Sequence, residues 1–249
     1  MEIKGRFGSQ TDIGLVRKSN EDKALSLIDA QNNILLCVCD GMGGYMKGDF
    51  ASKIAVDVIG AAFRSHRKWL FDFQVKLWIS KVIKSINFSV YYEAQDSEKF
   101  SGMGTTLCMA ILFKNKIYVA NVGDSRCYKL ESEKIVPLTK DQTYVEYLLT
   151  AGKISEQEKL TSKDRHVLMN FIGQKKEVNY VLDVYKNDAS TIMLCSDGLY
   201  NNATDKQIFA ALDSSERLDQ KINTLIGIAN ANGGSDNIAI SIWEPYKHD

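Results

Sequence analysis

Short apolar runs of strand length alternate along the chain with longer stretches of helical periodicity. The runs are rich in Val, Ile, Leu and Cys and are bounded by turn-forming residues, which predicts β-strands. The first two runs are joined by the polar segment DAQNN, and the third and fourth by KN, which predicts two hairpins. The predicted strands are KALSLI (23–28), NILLCVC (33–39), TTLCMAILF (105–113), KIYVANV (116–122), SRCYKL (125–130), STIMLC (190–195) and NIAISIW (237–243).

Apolar residues recur at helical spacing over 50–63, 71–90 and 218–229, which predicts three amphipathic helices. Residues 141–170 are helical in pattern but irregular and polar, so we predict an insertion packed on the main body. Strands therefore come in hairpin-like pairs, and helices follow one another instead of alternating with strands. This order favours an antiparallel α+β sandwich over a doubly wound α/β sheet.

Composition and charge narrow the classes of protein to consider. The 249 residues suit one large domain or two small ones, and 31 Lys and Arg balance 31 Asp and Glu. A net charge of zero does not favour a nucleic-acid or anionic-membrane partner. Residues 1–20 contain no apolar signal-peptide core, and no run approaches the ~20 apolar residues of a membrane span, so we expect a cytoplasmic protein.

The cysteines do not indicate a disulfide framework or a zinc site. Their number is odd, and most lie inside apolar strand-like runs, which is typical of small buried hydrophobic residues. The pair Cys37 and Cys39 has no second Cys or His pair at ligand spacing. The five residues are Cys37, Cys39, Cys108, Cys127 and Cys195.

Acidic residues stand at one end of each predicted strand pair. In the first hairpin Asp22 precedes one strand and Asp40 follows the other, so the two acids share an edge. The other pairs place acids in the same way, provided that the last two strands are antiparallel neighbours. One sheet edge would then collect Glu21, Asp22, Asp40, Asp124, Asp197 and Asp236.

Carboxylates collected in this way repel one another and have raised pKa values unless cations neutralise them. Carboxylate, carbonyl and water oxygens suit Mg²⁺ or Mn²⁺ better than Zn²⁺, and no histidine lies in an acidic motif. Gly41 leaves bare backbone beside Asp40, so its carbonyl can reach a metal ion. An Asp at a strand end is also a common turn former or helix cap, but four acids beside Gly or Asn in DGMGG, GDSR, SDGL and GGSDN favour one shared site.

These motifs, taken in order, resemble those of the bacterial PP2C-type metal-dependent protein serine/threonine phosphatases, also called the PPM family. The resemblance implies a four-layer αββα sandwich, with two central antiparallel sheets flanked by helix pairs. It also implies a single domain over 1–249 with a flap at about 141–170. The matching segments are TDIGLVRKSNED (11–22), VCDGMGG (38–44), GMGTTL (102–107), VANVGDSR (119–126), LTKDQT (138–143), LCSDGL (194–199) and GGSDNIAI (233–240).

The resemblance implies a centre of two Mn²⁺ or Mg²⁺ ions with a third, weaker site. Asp40 would bridge the two ions, and the Gly41 carbonyl would bind one of them. Asp197 and Asp236 would bind the other ion, and Asp124 would join Asp197 at the third site.

Three further residues receive roles from the same resemblance. Glu21 and Asp22 would hold metal-bound waters, and Arg17 would bind the substrate phosphate through its planar fork of donors. A water or hydroxide bridging the two ions would attack phosphorus in line. The chain has no Cys-x₅-Arg motif, which argues against a cysteine phosphatase. The predicted catalytic residues are Arg17, Asp40, Asp197 and Asp236.

The chain departs from the family pattern where a general acid is expected. Some members carry a histidine after the DG pair, where this chain has Met42. Bacterial members often have His where this chain has Tyr45, and DHS where it has DQT at 141–143. A metal-bound water or Asp124 is left to protonate the leaving oxygen.

The predicted function is hydrolysis of phosphoserine and phosphothreonine in protein substrates by a monomeric enzyme, with no nucleic-acid or membrane partner. The enzyme would oppose a bacterial Ser/Thr kinase. Three alternatives use the same residues. They are a metal-dependent phosphodiesterase or nuclease, a degenerate family member that binds a partner without catalysis, and a phosphatase of regulatory proteins in stress or sporulation circuits.

Overall fold

Two five-stranded antiparallel sheets form the centre of the molecule in the computed structural model, which describes residues 3–43, 47–96 and 100–246. Gly44 and Tyr45 of the sequence analysis lie outside the described residues. In chain order the strands are β1 (Gly5–Asp12), β2 (Lys23–Ile28), β3 (Ile34–Cys39), β4 (Gly41–Met42), β5 (Gly104–Thr105), β6 (Leu107–Phe113), β7 (Lys116–Val122), β8 (Arg126–Leu130), β9 (Ile135–Pro137), β10 (Val181–Lys186), β11 (Ile192–Cys195) and β12 (Ile238–Pro245).

The first sheet has the strand order β1-β12-β11-β8-β9, and the second has the order β10-β7-β6-β3-β2. A two-stranded ribbon of β4 and β5 lies beside them. The helices are α1 (Lys47–Ser65), α2 (Asp72–Asp96), α3 (Tyr144–Thr150), α4 (Glu156–Thr161), α5 (Asp197–Tyr200), α6 (Asp205–Asp213) and α7 (Leu218–Ala231).

Apolar residues on both faces of the sheets produce four layers. Because side chains alternate along a strand, β3 sends Leu36 to a cluster between the sheets and Leu35 to a cluster with α1 and α2. A third cluster packs α6 and α7 on the outer face of β11 and β12, where Ile240 and Leu225 are fully buried. The predicted αββα sandwich is therefore confirmed.

The predicted strand pairs are also confirmed. Strand β2 pairs with β3 over its whole length, from Lys23 opposite Cys39 to Ile28 opposite Ile34. Strands β6 and β7 form the second hairpin, and β11 and β12 are antiparallel neighbours. The five cysteines are buried and free, as expected.

The prediction was wrong in one strand and missed several elements. The run 105–113 is two strands, because Thr105 pairs with Gly41 whereas Leu107 begins the pairing with Val122. Strands β1 and β10 were missed because edge strands do not need continuous apolar runs, and β1 reads GRFGSQTD. Helix α6 was missed although Thr204 and Gln207 form a capping box at its start, a signal that the sequence carries.

Among the described residues, every helix is too short or too polar to cross a lipid bilayer.

Leu36 tests the packing between the two sheets, because its side chain has 0% exposure in that cluster. We expect Leu36→Ala to lower the free energy of unfolding by about 2–5 kcal/mol, from lost burial and the cavity left behind. Urea titration followed by circular dichroism measures this change. The control Leu160→Ala, at a position with 70% exposure, should change stability by less than about 0.5 kcal/mol. Equal effects of the two substitutions would contradict the four-layer core.

Candidate active site

A cavity of about 500 Å³ opens at one end of the sandwich, where loops that follow or precede the central strands meet. Seven of the eight predicted site residues line it, and the eighth, Asp22, is buried with 1% exposure. The structure therefore brings together acids that are separated by as many as 215 positions in the sequence, from Glu21 to Asp236. The predicted residues that line the cavity are Arg17, Glu21, Asp40, Asp124, Asp197 and Asp236, together with Gly41.

Asp40 follows β3 and is fixed by the threonines of the GTT motif. Its backbone N–H donates to the Thr106 hydroxyl at 2.9 Å, and its carbonyl accepts from the Thr106 N–H at 2.8 Å. The Thr105 hydroxyl donates to the same carbonyl at 3.0 Å. These bonds hold the peptide that carries the Asp40 carboxylate, which explains why two threonines stand at this point of the sequence.

Two glycines allow α1 to begin against the loop that carries Glu21. A Cβ added at Gly41 would collide with the backbone of Gly48, and a Cβ at Gly48 would collide with the Glu21 carboxylate. Ser52, in the first turns of α1, donates to the Glu21 carbonyl. The bare backbone beside Asp40 thus serves close packing, and Gly41 itself lines the cavity.

Asn237 is a site residue that the sequence analysis did not single out. Its side-chain oxygen accepts from the Glu21 N–H at 2.9 Å, and its amide donates to the carbonyls of Ile13 and Ser19 at 2.9 Å each. Its backbone N–H donates to the Asp236 carboxylate at 2.8 Å. Asn237 therefore ties the loop after β1 to the start of β12. Its place beside Asp236 in the SDN motif was the available signal.

Asp22 is buried, and its carboxylate accepts a hydrogen bond from a serine hydroxyl. The Ser196 hydroxyl donates to the Asp22 carboxylate at 2.6 Å and accepts from the Ala239 N–H at 2.8 Å. Burial is the largest cause that raises the pKa of Asp22 to about 7; the Ser196 bond opposes it, and the charges of Asp197 and Asp236 add to it. Asp22 thus contributes negative charge below the floor of the cavity only when it gives up a proton.

The other acids raise one another's pKa values in the same way. Burial raises the pKa of Asp40 well above its usual range, and the charges of Asp22, Asp197 and Asp124 add to this effect. Burial raises the pKa of Asp124 to about 7, with Asp197 as the largest contributing charge. The carboxylates of the cavity therefore outnumber the basic side chains that could neutralise their charge.

Arg17 pairs with this acidic set at the rim of the cavity. Its Nη2 donates to the Asp236 carboxylate at 2.7 Å, and its side chain remains 55% exposed at the rim. Asp197 accepts from the Asn201 amide at 3.0 Å. Arg17 is thus held over the cavity with donors still available to an incoming anion.

The donor set fits hard divalent cations. Within 3–43, 47–96 and 100–246, no three His, Cys, Asp or Glu side chains converge on one point as a finished metal site would require. The donors are nevertheless carboxylates and the Gly41 carbonyl, which are the oxygen ligands of Mg²⁺ and Mn²⁺. The raised pKa values of Asp22, Asp40 and Asp124 show a repulsion that a divalent cation would offset.

His166 is the histidine that the structure brings to the acids, although it lies far from them in the sequence. Its Nδ1 lies 3.5 Å from the Asp197 carboxylate, and the hydrogen bond that the ring donates to Asp197 raises the pKa of His166. It follows α4 in the predicted flap segment and lines the cavity. No local signal marks His166, because its proximity depends on how residues 141–170 fold over the site.

Asp141 of the DQT segment supports the site from the side. Arg126 donates to its two carboxylate oxygens at 2.9 and 2.7 Å and lies 3.6 Å over the Tyr200 ring. The Tyr200 hydroxyl donates to the Asp124 carbonyl at 3.2 Å. This chain of contacts connects Asp141 to the backbone of Asp124.

Comparisons with known proteins agree with this arrangement. A family model described as protein phosphatase 2C matches residues 16–239. The chain is 34% identical over 238 residues to the serine/threonine phosphatase stp of Listeria welshimeri, with 94% of each protein covered. The serine/threonine phosphatase Stp1 from Staphylococcus aureus is 31% identical with a TM-score of 0.92, covering 99% of this chain and 98% of that one. The catalytic domain of the phosphatase PstP in complex with two manganese ions is 28% identical with a TM-score of 0.82, covering 96% and 97%.

The raised pKa of Asp22 predicts how stability depends on pH in chelator-treated protein. An acid whose pKa rises from about 3.8 unfolded to about 7 folded stabilises the folded state at low pH, and this contribution is lost as pH rises through 7. We expect the free energy of unfolding to fall by about 2 kcal/mol per such group between about pH 5.5 and 8. Asp22→Asn should remove that share of the loss, because its amide oxygen can still accept from Ser196. Urea titrations at several pH values measure it.

The matched control is Asp183→Asn on β10, an exposed acid outside the cavity, which should leave the pH profile unchanged. A stability that rises from pH 5.5 to 8 in the chelator-treated protein would contradict the raised pKa.

Proposed function

The chain belongs to the protein phosphatase 2C family and is a protein serine/threonine phosphatase, and we propose that the acidic cavity is where it hydrolyses phosphoserine and phosphothreonine. The observation that carries the proposal is the collection of Asp40, Asp197 and Asp236 around one cavity with Arg17 at its rim. Carboxylates with an adjacent arginine suit phosphoryl transfer to water at a metal centre.

The cofactors are two divalent cations, either Mn²⁺ or Mg²⁺, and the two manganese ions of PstP support this number. When bound, such ions supply a hydroxide nucleophile at neutral pH and neutralise charge on the phosphoryl group. Asp40 would contact both ions, the Gly41 carbonyl would bind one, and Asp197 and Asp236 would bind the other. A third, weaker site would use Asp124 together with Asp197.

The remaining acids prepare the site. Glu21 and Asp22 would order water beside the ions, and the Ser196 hydroxyl orients the Asp22 carboxylate for this role. Binding of cations requires these carboxylates to be ionised, so it becomes more favourable as pH rises through their raised pKa values.

Arg17 binds and orients the phosphoryl group. The ion pair at 2.7 Å engages Nη2 and holds the guanidinium over the cavity, so its other N–H donors can bind phosphate oxygens. The leaving serine or threonine oxygen takes its proton from water or from Asp124. Met42 lines the same cavity and has no proton to give.

The substrates are phosphorylated proteins, and the enzyme opposes a serine/threonine kinase that forms those phosphoesters. The cavity is an open cleft at the surface, so a phosphorylated side chain can enter it from a peptide that lies across the rim. The 141–170 flap contributes His166 and Leu168 to the wall and would contact the residues beside the phosphorylated one.

Asp40→Asn and Asp197→Asn test the metal centre. Each removes a charged ligand, so we expect Mn²⁺-dependent hydrolysis of a phosphothreonine peptide to fall by at least about 100-fold while the fold survives. The assay runs beside bis-p-nitrophenyl phosphate, which a phosphodiesterase would hydrolyse in preference to the peptide. Asp183→Asn is the control and should retain full activity. Full activity in both site variants would reject the two-cation mechanism.

Arg17→Ala tests phosphate binding. Because the guanidinium contacts the phosphoryl group in substrate and transition state alike, we expect KM for the phosphothreonine peptide to rise by about 10-fold or more, with a smaller change in kcat. Arg17→Lys keeps the charge but loses the fork, so its KM should lie between those of the wild type and Arg17→Ala. Steady-state kinetics at saturating Mn²⁺ measures both constants. An unchanged KM in Arg17→Ala removes this residue from phosphate binding.

A further inference from the structure

Helix α2 carries a second apolar stripe besides the one that faces the core. Phe73, Leu77, Phe88 and Tyr92 are 63%, 50%, 60% and 37% exposed. Their spacing of four, eleven and four residues places them on one side of the helix, over a length of about 28 Å. Lys81 and Lys84 lie on the same side of the helix between the two apolar pairs, so the stripe is interrupted by basic residues. Single exposed apolar residues are common, but exposed apolar residues grouped on one side with basic neighbours are typical of an interaction surface.

The first half of this stripe borders a groove between α1 and α2. The groove has a volume of about 570 Å³, and Val58 and Ala62 of α1 line it together with residues of α2. Phe73 and Leu77 line its α2 side, and Trp78 lies between the two helices. We refer to this feature as the α1–α2 groove.

Aromatic packing keeps the end of the groove in shape. The Trp69 and Trp78 rings meet edge to face at 5.5 Å, and Phe63 packs on both of them. His66 stacks on Trp69 at 4.0 Å and lies 3.1 Å from the Asp29 carboxylate. The side chains at this end of the groove are therefore already ordered, so little free energy is lost in rearranging them when a segment binds.

The groove is surrounded by positive charge, although the chain as a whole is neutral. From position 58 to position 92 the sequence has one acid, Asp72, and Asp72 forms an ion pair with Lys116. The lysines and arginines of the same stretch form no ion pair with any residue in the described ranges. They are Arg64, Arg67, Lys68, Lys76, Lys81 and Lys84, of which Arg67, Lys68 and Lys81 line the groove itself.

We propose that the α1–α2 groove is a docking site for an amphipathic helical segment of a partner protein, with apolar side chains on one face and Asp or Glu at its borders. The apolar walls would bury the apolar side chains of the segment, and Arg67, Lys68 and Lys81 would pair with its Asp or Glu side chains. A groove between two helices accepts a third helix along its length. A flat lipid surface would not fill it.

The groove and the acidic cavity lie at different parts of α1. Gly48 contacts Glu21 at the start of the helix, whereas the groove begins at Val58, about 15 Å further along the axis. A docked segment would therefore leave the catalytic cavity open. Docking would raise the local concentration of a phosphorylated residue on the same partner.

The test is direct binding of a synthetic probe to the full chain. The probe is a fluorescein-labelled peptide of about 18 residues, ~27 Å long as a helix, with Leu and Phe on one face and Glu at its borders. We expect saturable binding by fluorescence anisotropy that weakens with added salt. Leu77→Ser and Lys81→Glu should each weaken it by about 10-fold or more. Lys206→Glu, an exposed charge reversal on α6, is the matched control and should bind like wild type.

Hydrolysis of p-nitrophenyl phosphate shows that the variants are folded, and it should be unchanged in all three. The proposal is overturned by any of four results. The wild type shows no saturable binding, a peptide of the same composition in scrambled order binds equally, or Lys206→Glu weakens binding as much as Lys81→Glu. The fourth is that phosphatidylglycerol vesicles, and not the peptide, bind in a Lys81-dependent way, which would assign the surface to a membrane.

Discussion

The mutual repulsion of carboxylates at one end of the sandwich is the constraint on which the site depends. Asp22, Asp40 and Asp124 are held where burial and neighbouring charges oppose their ionisation. A chain free to relax would move these side chains apart into water. The network around them prevents this, because Ser196, Asn237 and the GTT threonines fix backbone and carboxylate positions. The unfavourable charge is what makes the cavity attractive to divalent cations.

The sandwich supplies the rigidity that this arrangement requires. Strand β3 is buried along all of its residues, with one set of side chains against the opposite sheet and the other against α1 and α2. The acids lie just beyond the ends of such strands, so the close-packed core holds their backbones in fixed positions. The outer helix layer, unlike the strands, has a face that the core does not cover. Since α2 buries only one of its apolar stripes, its other face is available for contacts that do not disturb catalysis.

Local charge and overall charge carry different information in this protein. The balance of 31 basic and 31 acidic residues argued against an anionic partner. This net charge of zero is the sum over two surfaces of opposite charge. One is the acidic cavity, and the other is the basic border of the α1–α2 groove. Electrostatic attraction acts over about 10 Å at moderate ionic strength, so a partner responds to the nearest charges and not to the sum.

The sequence by itself determined the class of fold, the hairpins and the identity of the acids, because side-chain periodicity and short turns are local properties. It also carried the ordered motifs from which the family could be inferred. Edge strands β1 and β10 escaped it, since a strand with a partner on one side needs little apolar patterning. Only the tertiary structure decided that Asn237 would bridge the loop after β1 to β12 and that His166 would reach Asp197. These contacts join residues far apart in the chain, and their existence depends on how the layers pack.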